Sequence, residues 1–278
     1  MDKGADYISQ IIEHGFESFE LTLWQYIGNV NLQKLAKETK EVIGDDAIIS
    51  SLGIYGNPLQ DEQTAKDWAT VIKSCKMFGC NVVCGFAGAI EGKPVDESIP
   101  KFKEVFGELA KIADGEGVKI AFENCDMGGT WDRPLWNIAH SPHAWELMFN
   151  SVPGDTLGLE WEPCHQMVSL IEPVPQLRKW VSRVYHVHGK DATVALDVIE
   201  SEGIRGGKPY VWHRTPGFGD TNWSDVITIL RQHGFHGAID IEGWHDPVYR
   251  DELEMTGQVY ALEYLQACRG GAYVPNPV

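Results

Sequence analysis

Basic residues are scarce in this chain: 23 Lys and Arg stand against 40 Asp and Glu, for a formal net charge of −17. Duplex nucleic acid calls for a basic face, so this balance argues against a nucleic-acid partner and favours a small molecule. Long apolar runs are missing too, which leaves no candidate membrane span. Residues 1–15 carry acidic side chains where a secretory signal would be basic and then apolar, so a cytoplasmic protein is expected. The six cysteines, at 75, 80, 84, 125, 164 and 268, include no CxxC pair and no disulfide-framework spacing, which suits reduced thiols used mostly in packing. A glycine-rich phosphate cradle is absent, and this speaks against a phosphorylated substrate.

What is present is a regular alternation. At 278 residues and 43% hydrophobic the chain can bury a sizeable core, and no composition break divides it. After a short leading helix over 7–14, strand-like runs at 16–23, 47–54, 81–86, 118–123, 156–161, 183–188 and 237–242 alternate with amphipathic helical runs at 32–43, 62–78, 94–116, from 141, 175–181, 223–233 and 250–268. A further short run, 211–215, supplies the seventh of eight strands. Near-continuous apolar strands alternating with helices imply a parallel sheet, and eight such units imply one α/β TIM (β/α)8 barrel over residues 1–278. Two long stretches, about 124–140 and 192–212, are expected as loops over the mouth. The small residues Gly85, Ala87 and Gly88 are expected to leave room above the third strand.

The run 183–191, RVYHVHGKD, is the most informative stretch. Side chains alternate along a strand, so His186 and His188 face the same way before the chain leaves through Gly189. In a parallel barrel the C-terminal strand ends carry the chemistry. Strand four ends in Glu123, strand five in Glu162, strand six in His188 and strand eight in Glu242. Three carboxylates and an imidazole at one mouth ask for a divalent cation, because buried glutamates are costly unless paired or bound to metal. Oxygen-rich ligation suits Mn, Mg or Co, with Zn still open. Lys190 and Asp191 either contact substrate or form an ion pair at the rim.

The tips ENC at 123–125, EPCH at 162–165, HVHGKD at 186–191, PGFGDTNW at 216–223 and DIEGW at 240–244 resemble the sugar phosphate isomerase and epimerase superfamily, which is similar to xylose isomerase in fold. The resemblance runs from Phe19, Glu20 and Leu21 to the last helix. It implies Glu123, Glu162, His188 and Glu242 as ligands of a divalent metal, with His165 near the substrate. In the ketose 3-epimerases of this group the residues matching Glu123 and Glu242 also act as the two acid/base groups. Two positions depart from the pattern: Glu162 stands where aspartate is usual, and Val194 where the epimerases place an arginine.

The expected reaction is proton abstraction next to a carbonyl through a metal-stabilised enediolate, giving isomerisation or epimerisation. Loss of a leaving group from the β carbon would turn the same chemistry into elimination, as on a keto-glycoside. A non-catalytic sugar-binding subunit is the third reading. Trp24, Trp131, Trp136, Trp161, Trp212 and Trp244 fall at or just beyond strand ends, where sugar rings stack on flat walls, and His213 and Arg214 can hold an anionic or hydroxyl-rich part of a carbohydrate or keto-glycoside. The apolar tail 270–278 can dock on a second copy or a partner subunit, or cap its own barrel.

Overall fold

A computed structural model describes residues 3–271 and 274–277. In chain order the elements are α1 (Gly4–Ile11), β1 (Ser18–Trp24), α2 (Leu32–Ile43), β2 (Ile48–Tyr55), α3 (Glu62–Phe78), β3 (Val82–Gly85), α4 (Val95–Glu116), β4 (Lys119–Glu123), α5 (Pro142–Ser151) and β5 (Leu157–Trp161). There follow α6 (Cys164–Val168), α7 (Pro173–Trp180), β6 (Val184–Gly189), β7 (Asp191–Val194), α8 (Leu196–Glu202), β8 (Val211–Arg214), α9 (Trp223–Gln232), β9 (Ile239–Ile241) and α10 (Glu254–Arg269). The helices start where their capping residues stand. Asn31, Asp61, Ser141 and Asn222 each accept a hydrogen bond from a first-turn amide of α2, α3, α5 and α9.

The chain forms two compact units. The first comprises Met1–Trp161, Arg183–Val187 and Gly237–Asp240. It holds a sheet ordered β1-β2-β3-β4-β5-β6-β9, with the pairs from β1 to β6 parallel. Strands β3 and β5 are buried along their whole length, which is why they read as continuous apolar runs without alternation. The sheet curls until its last strand meets its first, because Asp240 on β9 accepts hydrogen bonds from Ser18 on β1 and Ser50 on β2. Trp68, Phe102, Phe106 and Phe122 pack together between α3, α4 and β4, Phe106 meeting Trp68 and Phe122 edge-on and stacking on Phe102. The space expected above the third strand is filled: a Cβ on Gly88, at φ +79°, would meet Leu59 Cγ at 2.6 Å and Asn57 Oδ1 at 2.8 Å.

The second unit comprises Glu162–Ser182, His188–His236 and Ile241–Val278. Here the run expected as the seventh barrel strand behaves differently. Val211–Arg214 pairs antiparallel with Asp191–Val194 in a separate two-stranded sheet. The reason lies in the pairing: the chain emerging from β6 goes directly into β7, and its ladder is satisfied by the next extended segment, Val211–Arg214. The stretch expected as irregular over 192–212 therefore contains most of β7 and all of α8. Buried Asp191 anchors this region by accepting from the amides of Ala192 and Thr221 and from Trp223 Nε1. The tail assigned a docking or capping role lies outside the described residues at 272–273 and 278. Among the described residues no helix is long and apolar enough to cross a membrane.

Candidate metal centre

The second unit gathers most of the expected site residues. Glu162 follows β5 directly and is completely buried, at 0% exposure. Its two carboxylate oxygens accept from the His165 amide at 3.0 and 3.1 Å, and Oε1 lies 2.7 Å from His165 Nδ1. This contact arises because EPCH turns straight into α6, which brings residue i+3 back over residue i. Burial works against ionisation of Glu162, but His165 and then Lys190 outweigh it and hold the carboxyl below its ordinary value.

Glu242, just beyond β9, divides its oxygens. Oε1 takes Lys190 Nζ at 2.5 Å and His245 Nε2 at 3.1 Å, while Oε2 faces His188 Nδ1 at 3.3 Å. Burial again opposes the charge, and Lys190, His188 and His245 overcome it, so Glu242 is held well below the usual carboxylate range. Lys190 is only 2% exposed, and its amide turns back onto the His188 carbonyl at 2.9 Å between β6 and β7. His213 on β8 meets His165 edge-on at 5.1 Å and His245 at 5.6 Å between ring centres. Burial, then Lys190, His165 and His245, bring it down to about 4, so this imidazole is neutral at neutral pH.

Not every expected contact residue is free to serve. Arg214 donates from Nε to Asp246 at 2.9 Å and lies over the Phe218 ring, and Asp191 is committed to its backbone and indole donors. In the first unit, Trp161 is fully enclosed at 0% exposure, so its ring packs rather than presenting a face. Glu123 closes β4, and its carbonyl accepts from Asn137 Nδ2. Trp131 stacks on His143 at 5.0 Å, and Trp24 and Trp244 are 58% and 61% exposed. His245 went unnoticed in the sequence. Its signal was the i+3 spacing from Glu242 across a glycine, in EGWH.

Within the second unit, His188 and Glu242 have the spacing of two donors to one divalent cation. Two donors on one cation at about 2.1 Å stand about 3.0–3.4 Å apart, and His188 Nδ1 and Glu242 Oε2 are 3.3 Å apart. Glu162 lies in the same unit with both carboxylate oxygens engaged by His165. His186 belongs to a different environment, in the first unit. Its Nε2 lies 3.2 Å from Asp240, 3.4 Å from Glu20 and 4.0 Å from Glu160. Tyr55 Oη sits 2.7 Å from Glu20 and 2.8 Å from Glu160, and Ser51 donates to Glu20 at 2.6 Å. Burial disfavours the imidazolium there, yet Asp240 first, then Glu20 and Glu160, raise the affinity of His186 for its proton.

Comparison with known proteins gives the family of the fold. The model of the xylose isomerase-like TIM barrel family matches residues 8–267. The chain belongs to that family. Among curated relatives, an inosose dehydratase of Clostridium tetani is 26% identical over a match covering 64% of this chain and 61% of the dehydratase. An inosose isomerase of Bacillus subtilis is 27% identical, covering 65% of this chain and 60% of the isomerase. The match thus spans less than two thirds of either enzyme's length. Among solved structures, the IOLI protein with a bound zinc atom superposes with a TM-score of 0.63 at 18% identity, covering 93% of this chain and 88% of that one, a likeness of fold.

Proposed function

We propose that this protein is a divalent-metal-dependent sugar isomerase or epimerase that works by proton transfer beside a carbonyl. The observation that carries the reading is the split Glu242 carboxylate, with Lys190 and His245 on one oxygen and His188 on the other. Glu162, His188 and Glu242 would hold the cation. The family resemblance adds Glu123, which ends β4, as a fourth donor. A bound divalent cation would supply electrophilic polarisation of a carbonyl and its neighbouring hydroxyl.

The remaining work belongs to side chains. Glu242 takes the proton from the carbon next to the carbonyl, and Glu123 is the second acid/base group. Because Glu242 is held well below the usual carboxylate range, it is ionised and ready as a base at neutral pH. The buried ammonium of Lys190 offsets negative charge that develops on the substrate oxygens. His165 keeps Glu162 aimed through its amide and ring contacts. Neutral His213 can both donate to and accept from a sugar hydroxyl.

A second reading, elimination from the β carbon, starts from the same proton abstraction, and the likeness to the Clostridium tetani inosose dehydratase favours it. Solvent deuterium exchange into free sugars and keto-sugars, with Mn, Co, Mg or Zn added, tests both. Label next to the carbonyl with retained carbon–oxygen bonds supports isomerisation or epimerisation. Loss of water or an alcohol supports elimination. No exchange with any metal would overturn both.

A further inference from the structure

We propose that Cys75 and Cys80 form a redox site: a small hydroperoxide converts the two thiols into an intrachain disulfide that fastens the end of α3 to the chain entering β3. The site lies wholly within the first unit and uses none of the residues assigned to the proposed reaction.

Both residues stand where α3 stops, in the run CKMFGC. Gly79 ends the helix in the left-handed region at φ 83°, and the chain turns back on itself there. The Gly79 amide donates to the carbonyls of Cys75 and Lys76 at 3.0 and 3.3 Å, and the Cys80 amide donates to the Cys75 carbonyl at 3.2 Å. A bond from the sixth residue back to the first is the mark of a Schellman turn, which brings the side chains of those two residues into contact. That contact is usually apolar, and here it joins two thiols. An amide bonded to a carbonyl holds the two residues' Cα atoms within about 6 Å, inside the span of a disulfide.

The sulfurs are hydrogen-bonded to each other. Cys80 Sγ also lies 3.6 Å from the Cys75 carbonyl, and Cys75 Sγ lies 3.6 Å from the Val71 carbonyl and 3.9 Å from that of Val82. The pair is therefore set side by side by backbone bonds. A spacing of CxxxxC carries no such message in the sequence, because the left-handed turn at Gly79 is what closes the gap.

The two thiols differ in a way that assigns their order. The bond to Cys80, and then burial, push the Cys75 thiol up, whereas the bond from Cys75 holds Cys80 below its ordinary value against the opposing cost of burial. Cys75 thus keeps its proton and donates it to the Cys80 sulfur. Cys80 also retains surface, at 9% exposure against 0% for Cys75. The turn beside it is open, since a Cβ on Gly79 would meet only Lys40 Cε, at 4.0 Å.

Peroxide accordingly meets Cys80 first. The Cys80 thiolate attacks one peroxide oxygen, so that a sulfur–oxygen bond forms, the oxygen–oxygen bond breaks and the departing oxygen takes up a proton as water. The Cys75 sulfur then attacks the sulfenic sulfur of Cys80. The sulfur–sulfur bond forms, the sulfur–oxygen bond breaks, and a second water leaves with the Cys75 proton. Two electrons pass from the thiol pair to the peroxide, and a dithiol reductant returns them through a mixed disulfide.

The test is peptide mapping of the intact protein after hydrogen peroxide, with remaining thiols blocked and no reductant in the digest. Trypsin cuts after Lys73, Lys76 and Lys101, with Lys93 protected by Pro94, so the disulfide is expected as residues 74–76 joined to residues 77–101. The free-thiol count should fall by two and recover with dithiothreitol. Cys84 shares the second peptide, so Cys84→Ser should keep the link and Cys80→Ser should abolish it. Cys75→Ala abolishes it by a second route and should let Cys80 run on to sulfinic acid. The oxidised protein should melt about 4–8 °C higher than the reduced one, the effect of closing a short loop. A link that forms only in denaturant overturns the proposal. So does a disulfide between Cys80 and Cys84, or Cys80 sulfinic acid beside a free Cys75 thiol in the unaltered protein. A melting temperature that falls on oxidation overturns the fastening role.

Discussion

Two histidines, two residues apart on one strand, sit in contrasting company. His186, in the first unit, faces Asp240, Glu20 and Glu160. Those carboxylates are in turn held by Ser18, Ser50, Ser51 and Tyr55. His188, in the second unit, meets a carboxylate whose other oxygen is taken by a lysine and another histidine. The first arrangement is an imidazole whose hold on its proton is strengthened by three surrounding carboxylates, themselves bonded to serine and tyrosine hydroxyls. The second mixes a base, a cation and several imidazoles in one place, and such a mixture can exchange protons or accept a metal. The lesson is that residue type and strand phase do not make a site. The balance of charge around the residue does.

The sharpest way to break this contrast is at the proposed acid/base pair. Glu242→Gln and Glu123→Gln should each cut turnover by about 10²–10⁴-fold with an unchanged far-UV spectrum, since the amide keeps the shape and loses the base. Near-normal rates in both would remove the assignment. Next comes the histidine pair itself. His186→Ala should cost about 3–5 kcal/mol of stability by leaving buried carboxylates without their cation, while metal content holds. His188→Ala should do the opposite, losing metal at modest cost to the fold. Equal metal content in the two purified variants would erase the distinction.

A gentler test uses pH. His186 holds its proton more tightly when folded, so the stability it contributes is complete below its ordinary value of 6.5 and is lost as pH rises through the raised value. Asp240 is held below its ordinary value of 3.8 by His186, Ser18 and Ser50 against the opposing cost of burial. Its share is therefore present above 3.8 and is lost as pH falls through the lowered value. Both limbs report the same ion pair. Thermal melts should show His186→Phe flattening the alkaline limb, and an alkaline limb identical to that of the unaltered protein would contradict the ion pair. The smallest effect serves as a control: Asn222→Ala removes the cap of α9 and should cost about 1 kcal/mol in denaturant melts without changing metal content. A loss of metal in that variant would mean that stability, not ligation, controls occupancy.

Much of this was readable in advance. Helix starts at Asn31, Asp61, Ser141 and Asn222 follow from short polar side chains that satisfy first-turn amides, a local interaction. The strand-end positions of Glu123, Glu162, His188 and Glu242 follow from apolar runs that stop at a charged residue. Other features were hidden. Nothing local told that Val211–Arg214 would leave the parallel sheet, because an antiparallel partner twenty residues away decides where its ladder bonds go. Nor could strand phase tell that Arg214 would be spent on Asp246, or that Trp161 would be enclosed while Trp24 stayed open.

The amino-acid order by itself determined the alternating strands and helices, their caps and the identity of the residues at the strand ends, since each rests on contacts within a few positions. The tertiary structure alone decided which of those residues share a charge environment. It joined Glu242 to Lys190, His188 and His245, and it surrounded His186 with three carboxylates drawn from β1, β5 and β9. The physical reason is range: propensity and capping act along the chain, whereas the cost of burying a charge depends on whatever the fold brings within a few ångströms.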